Sequence, residues 1–284
     1  MWYRWSVGTL ALAVALCASF TGARAFDDKA YPDLSGQWLR TDTGTPRYDP
    51  SKPAGRGQQA PLTPEYQAIF AASLADQANG GQGNWDSGAR CIPPGMPGTM
   101  NGYNTMEIVV LPQITYILVE HDLPIYRRIY TDGRTRPSNV EPSLQGYSIG
   151  HWIDTTGGGH YDVLEVDTRG FAGRRATDNS GLPLHANNRS VITERIYLDK
   201  ADPNLLHDQI TTVDDALTKP WSALKSYRRN PDQYPVWREE NCPSISRLIK
   251  LRNELYFKGA DDVLMPTRKD QPPPDLRYFH QTRP

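Results

Sequence analysis

Apolar and polar positions alternate with a period of two along much of this chain. The pattern is plainest from Pro124 to Phe171. Ile125, Arg127 and Ile129 fall on one side of a strand and Tyr126, Arg128 and Tyr130 on the other, because successive side chains of a strand point to opposite faces. Asp132-Gly133 then reads as a turn, Ser148 to Trp152 as a second strand, and Gly157-Gly158-Gly159 as a break. His160 to Asp167 alternates again. Further strands are expected near Trp38, over Met106–Leu111, Ile114–His121, Ser190–Leu198, Gln209–Asp215, Trp221–Arg228 and 254–258. One stretch has helical spacing instead. Thr63 is a good N-cap, Pro64 suits the first helical position, and Tyr66, Ile69, Phe70 and Leu74 share one face of a helix running to about Asn79.

Eight to ten short strands with one early helix predict a mainly β fold: an antiparallel lipocalin-like β-barrel, or a strongly bent sandwich. Strands and helices do not alternate, which argues against a parallel α/β sheet. The expected organisation is a leader over 1–25, one barrel domain over 26–265 and an extended tail over 266–284, where Pro272-Pro273-Pro274 falls. Gly36-x-Trp38 matches the way lipocalin-like and avidin-like barrels begin: glycine bends the backbone at the barrel base and tryptophan plugs that end.

The first residues predict export. A short basic stretch (Trp2 to Arg4), an apolar run (Gly8 to Phe20) and Ala23-Arg24-Ala25 have the form of a signal peptide cleaved near Ala25. The apolar run is shorter than the ~20 residues that span a bilayer, so no stable membrane insertion is expected. Removing 1–25 takes two arginines and no acids, leaving 29 basic against 32 acidic side chains. A weakly acidic chain without a basic block is a poor match for nucleic acid. Cleavage would also remove Cys17, leaving Cys91 and Cys242. An even pair in an exported, presumptively periplasmic chain reads as a disulfide. It would close a loop of about 150 residues, worth ~4–5 kcal/mol at best in the chain-entropy model. Two free buried thiols are the alternative.

No cofactor or metal signature stands out. The chain lacks a Gly-x-Ser-x-Gly elbow, a phosphate loop, a His-Glu-x-x-His motif and a cysteine cluster. His151 and His160 could meet across their hairpin and, with Asp154 or Asp162, form a metal site or an acid/base pair. Glu194-Arg195 places charge in a strand centre, where isolated burial costs several kcal/mol. One account is an internal ion pair, for example Arg128 with Glu194. The other, compatible with it, is a pocket in which Arg128, Arg195 and Glu194 are anchors among Tyr126, Tyr130, Trp152 and Trp221.

The motifs Asp33-Leu34-Ser35-Gly36-x-Trp38, Cys91-x-Pro93-x-Gly95-Met96-Pro97, Arg127-Arg128-Ile129-Tyr130-Thr131-Asp132-Gly133-Arg134, Ser148-Ile149-Gly150-x-Trp152 and Val166-Asp167-Thr168-x-Gly170-Phe171 occur in that order. Together with Glu194-Arg195 and Pro220-Trp221, they resemble a family of exported bacterial proteins of uncharacterised activity. The resemblance implies a signal peptide and a lipocalin-like β architecture, and it transfers no catalytic residue. The family usually continues Trp-Glu-Gly-Asp-Thr-Leu after the Ser-x-Gly-x-Trp motif. Here Trp152 is followed by a longer, glycine-rich hairpin to His160. If that hairpin rims a pocket, its ligand should differ from those of its relatives.

The leading expectation is therefore a periplasmic barrel that takes a small aromatic or amphipathic molecule. It would process that molecule by cofactor-independent proton transfer, as a lyase, isomerase or hydrolase. His185 or His151 would be the base, Arg128 and Arg195 the anchors, and Tyr130 a hydrogen-bond donor. A non-catalytic carrier with the same pocket is the alternative, and an envelope interaction protein a second one.

Overall fold

The structure, a computed structural model, describes residues 27–41, 60–78, 93–101, 105–120, 125–173, 175–177, 181–237, 248–251, 253–258 and 263–275. The leader, Cys91, Cys242 and His121 lie outside these residues. Nine strands form a closed, lipocalin-like barrel: β1 (Gln37–Arg40), β2 (Met106–Leu111), β3 (Ile114–Val119), β4 (Ile125–Tyr130), β5 (Tyr147–Ile153), β6 (Val163–Arg169), β7 (Val191–Leu198), β8 (Leu205–Val213) and β9 (Trp221–Arg229). Helix α1 (Pro64–Ala78) lies between β1 and β2. Three short strands, β10 (Leu248–Leu251), β11 (Glu254–Lys258) and β12 (Leu264–Pro266), make a separate sheet. The described part of the tail folds back on that sheet: the Gln271 side chain donates to the Leu255 carbonyl at 2.6 Å, and the Tyr256 hydroxyl donates to Pro272.

An odd number of strands cannot alternate direction all the way round a ring, so closure requires a parallel pair. It falls between β4 and β5, where Ile129 pairs with Ser148 and Tyr130 with Ile149. The other barrel pairs are antiparallel. Asp132-Gly133 turns the chain, with Gly133 at φ +77°, but it does not close a hairpin. It begins a crossover over residues 131–146, of the length a parallel connection needs. Arg136 ties the crossover down by donating to the Tyr147 and Asp167 carbonyls and to the Asp167 carboxylate. Gly150 lets the two parallel strands approach, since a Cβ there would lie 2.6 Å from Ile129 Cγ2.

Strand directions sort the connections into two ends. The β1–β2, β6–β7 and β8–β9 connections share one end, and the first of these carries α1. The β2–β3, β5–β6 and β7–β8 connections, none longer than nine residues, share the other, the short-loop end. At the short-loop end Gly36 (φ +82°) bends the chain into β1, and Trp38 is fully buried. The Arg229 guanidinium from β9 lies 4.5 Å above the Trp38 ring and donates to the Asp33 and Ser35 carbonyls. Helix α1 is pinned at the long-loop end, where Thr63 N–H donates to Ala216 and Thr218 N–H to Pro61. Its Phe70 joins the core with Leu217 and Trp221. Thr63 Oγ1 accepts from Tyr66 N–H, as a capping threonine does.

Every barrel strand except β5 buries large apolar side chains at inward positions, among them Trp38, Ile108, Ile117, Ile129, Leu164, Ile192, Leu206, Ile210 and Tyr227. Two strand starts differ from expectation. β6 begins at Val163 because Tyr161 N–H donates to Ala30 and the His160 ring bonds the Lys29 carbonyl. β8 begins at Leu205, well before Gln209, because the polar-looking Asp208 is an inward residue.

Candidate functional site

Alternation put Glu194 and Arg195 on opposite faces, and the structure agrees: Glu194 is 2% exposed inside the barrel, while Arg195 stands outside and pairs with Glu165. On β4 the occupied face is the other one from that expected. Arg127, not Arg128, points inward and is 1% exposed. Its guanidinium grips both oxygens of Glu194 and donates to Thr168 Oγ1. Thr168 Oγ1 also shares a hydrogen bond with Ser148 Oγ. Asp208 and Lys225 face each other directly across β8 and β9, and both are buried. Two cations and two carboxylates thus share a dry interior. Glu194 and Asp208 lie on a diagonal of the β7–β8 ladder, with Glu194 opposite Ile210 and Asp208 opposite Ile196. Burial pushes the Asp208 carboxyl well above its usual range; the Glu194 charge adds to this, and Arg127 and Lys225 oppose it.

The side chains expected to line one pocket do not come together. Tyr126 and Arg128 are on the solvent face of β4. His151 is exposed on the outside of β5, in a cross-strand row with Glu165 and Arg195. That row borders a shallow outer groove. Tyr130 ends β4 toward the short-loop end; its ring stacks on Tyr147 at 4.9 Å and lies 4.0 Å below Arg134. Trp152 is at the same end, edge-on to Tyr31 at 5.3 Å, whereas Trp221 begins β9 at the opposite end. The glycine-rich hairpin is also at the short-loop end. Asp154 accepts from the N–H groups of Thr156, Gly157, Gly158 and Gly159, which hold its carboxyl down at about 2. Asp162 bonds Thr155. Among the described residues no group of three or more His, Cys, Asp or Glu side chains is arranged to hold a metal ion.

His185 stands apart from these. With Tyr66, Ile69, Arg175, Leu184 and Asn188 it borders a cavity of about 380 Å³ at the long-loop end, within the size range of ligand pockets. A tight turn holds the histidine. Asn188 closes it at φ +58°, a conformation asparagine tolerates, and donates its N–H to the His185 carbonyl. Asp214 accepts from His185 N–H at 2.8 Å and from Ala216 N–H. The Tyr66 ring stacks on the imidazole at 5.2 Å, and its hydroxyl accepts from Ala186 N–H. Asn187 N–H donates to His185 Nδ1 at 3.1 Å. A neutral imidazole held in this way carries its proton on Nε2, so it presents a donor and not a base.

Arg175 forms the buried wall at 4% exposure. Its guanidinium lies 3.9 Å over Phe171, donates to the Met96 carbonyl at 2.7 Å and donates to Ser190 Oγ at 2.7 Å. Ser190 in turn donates to Asp214. Burial lowers the Arg175 pKa to about 10, with Asp214 acting in the opposite direction, so the group stays cationic at neutral pH. Its Nε–H has no acceptor among the described residues.

Sequence reasoning named His185 but did not select Arg127, Arg175 or Tyr66. Arg127 was legible in hindsight, because isoleucines at 125 and 129 mark its face as core. Arg175 sits in an irregular loop with no periodic signal, and Tyr66 reads as one more apolar position of α1. No protein-family model, no curated protein and no solved structure matches the chain.

Proposed function

We propose that this protein is an exported small-molecule-binding barrel whose ligand enters the long-loop end and lies against Tyr66, Arg175 and His185. The observation that carries this reading is the cavity itself: about 380 Å³, with apolar walls and a few convergent polar groups. Long connections over a packed barrel are where binding residues concentrate. The signal peptide and the periplasmic location belong to the same proposal, as does a Cys91–Cys242 disulfide. Among the described residues no helix is long and apolar enough to cross a membrane.

Binding is favoured over proton abstraction because His185 Nδ1 is already an acceptor and, among the described residues, no carboxylate borders the cavity. A catalytic version would use His185 Nε2–H as a proton or hydrogen-bond donor to developing negative charge. Native mass spectrometry of the mature protein from its own envelope tests the reading. A small-molecule mass that disappears on denaturation, and is absent from Ala186→Trp, is expected. A clean apo mass together with no binding of aromatic probes at millimolar concentration would overturn it. The denatured mass also reports the disulfide, as a chain lighter by two hydrogens than its reduced form.

A further inference from the structure

The geometry points to an organic oxyanion, specifically a compact aromatic carboxylate, as the class of ligand this pocket takes. The inference rests on the pocket reading above and sharpens it. The polar lining supplies donors on converging sides. The Tyr66 hydroxyl accepts from Ala186 N–H through its oxygen, and its proton has no acceptor among the described residues. His185 presents Nε2–H, because Nδ1 accepts from Asn187. Arg175 brings a buried positive charge to the cavity wall.

Charge distinguishes this cavity from the other two described grooves. The outer-wall groove is bordered by the acids Glu165 and Asp167 as well as Arg195, and the groove beside the N-terminal segment by Asp28, Asp33 and Glu107 as well as Lys29. Among the described residues the His185 cavity is bordered by a cation and no acid. Asp214 in its framework already accepts from His185 N–H, Ala216 N–H and Ser190, and Asp215, whose charge reaches His185, is held by Asn187 and Arg189. Asp214 supports Arg175 through the serine without competing for the cavity. A low-dielectric wall strengthens the attraction for an anion, and two oxygens can accept from two donors at once. The stacked Tyr66 ring, Ile69 and Leu184 leave room for an apolar or aromatic body beside the charged group.

Titration calorimetry with matched probes tests this. Benzoate and 4-hydroxybenzoate are compared with benzamide and 4-hydroxybenzamide, which keep the ring and remove the charge. The acids should bind at least tenfold more tightly than the amides, weaken as salt is raised, and lose binding in Ala186→Trp. His185→Phe, a substitution at the half-exposed rim, should narrow the gap between acid and amide without unfolding the barrel. Arg175→Gln should abolish the gap, provided circular dichroism shows the fold intact. Equal affinity for acid and amide, with both lost in Ala186→Trp, would overturn the oxyanion assignment and keep the pocket. Benzoate binding that Ala186→Trp leaves unchanged would overturn the pocket as well.

Discussion

Arg127 and Arg175 are both almost wholly buried, yet the molecule treats them differently. Arg127, mid-barrel, is neutralised by both oxygens of Glu194 and backed by Thr168. Arg175, at the long-loop end, meets a carbonyl and a hydroxyl, and reaches Asp214 only through Ser190. A cation matched by a carboxylate in direct contact is a structural element. One matched at second hand, beside a cavity, keeps charge available for a ligand. Burial alone therefore does not say which arginine serves binding; the identity of its acceptors does.

The largest expected effect comes from unmatching the first site. Glu194→Gln leaves the Arg127 charge enclosed without a carboxylate in direct contact, and urea denaturation should show a loss of about 3–5 kcal/mol. Replacing the pair together, Arg127→Met with Glu194→Leu, should cost much less, because neither charge of the pair is then left enclosed without its partner. A double variant as unstable as Glu194→Gln would show that the pair contributes net stability and does more than avoid a penalty.

Next in size is a pH effect. The folded state holds the Asp208 proton more tightly than the unfolded chain, whose aspartates titrate near 3.9. The resulting stability is fully present below that value and is lost as pH rises through the raised folded pKa. Asp208→Asn cannot titrate, so the difference between wild type and variant should shrink or reverse with rising pH. A pH-independent difference in denaturation midpoint would remove Asp208 from the account.

Smaller effects test the barrel base and the outer wall. Arg229→Ala removes a cation stacked on Trp38 and two donors to carbonyls at the base, and should lower stability by about 1–2 kcal/mol. Arg195→Ala, one residue from Glu194 but outside the barrel, breaks only an exposed pair with Glu165 and should change stability by less than about 1 kcal/mol. Equal losses at 194 and 195 would break the distinction between inner and outer faces. Ligand affinity should be nearly untouched by Arg195→Ala, which separates the outer groove from the His185 cavity.

Much of the fold was visible in the alternation. Met106–Leu111 and Ile114–Val119 have apolar positions at every second residue, Trp221–Tyr227 does so except at Lys225, and all three form strands where expected. Thr63 and Pro64 announced the helix. The Asp132-Gly133 turn misled, because a turn signal is local and does not say whether the next strand returns beside the last one or crosses over to run parallel. The face of β4 misled as well: Tyr126 and Tyr130 made one side look like a pocket wall, while Ile125 and Ile129 marked the core side. The candidate site was half legible. His185 attracted attention as a titratable group in a loop, but its stacking partner Tyr66 lies about 120 residues away in sequence.

By itself the chain determined most strand positions, the helix, the bend at Gly36 and which side chains of a strand share a face, because these follow from backbone preferences over a few residues. Tertiary structure alone decided the parallel β4–β5 closure, the Arg127–Glu194 pairing across 67 residues of sequence and the meeting of α1 with the β6–β7 loop around Arg175. Each depends on which distant strands share hydrogen bonds, and ring closure fixes that for the whole sheet at once. The tautomer that turns His185 from an expected base into a donor was decided at the same level, by the fold of a single turn.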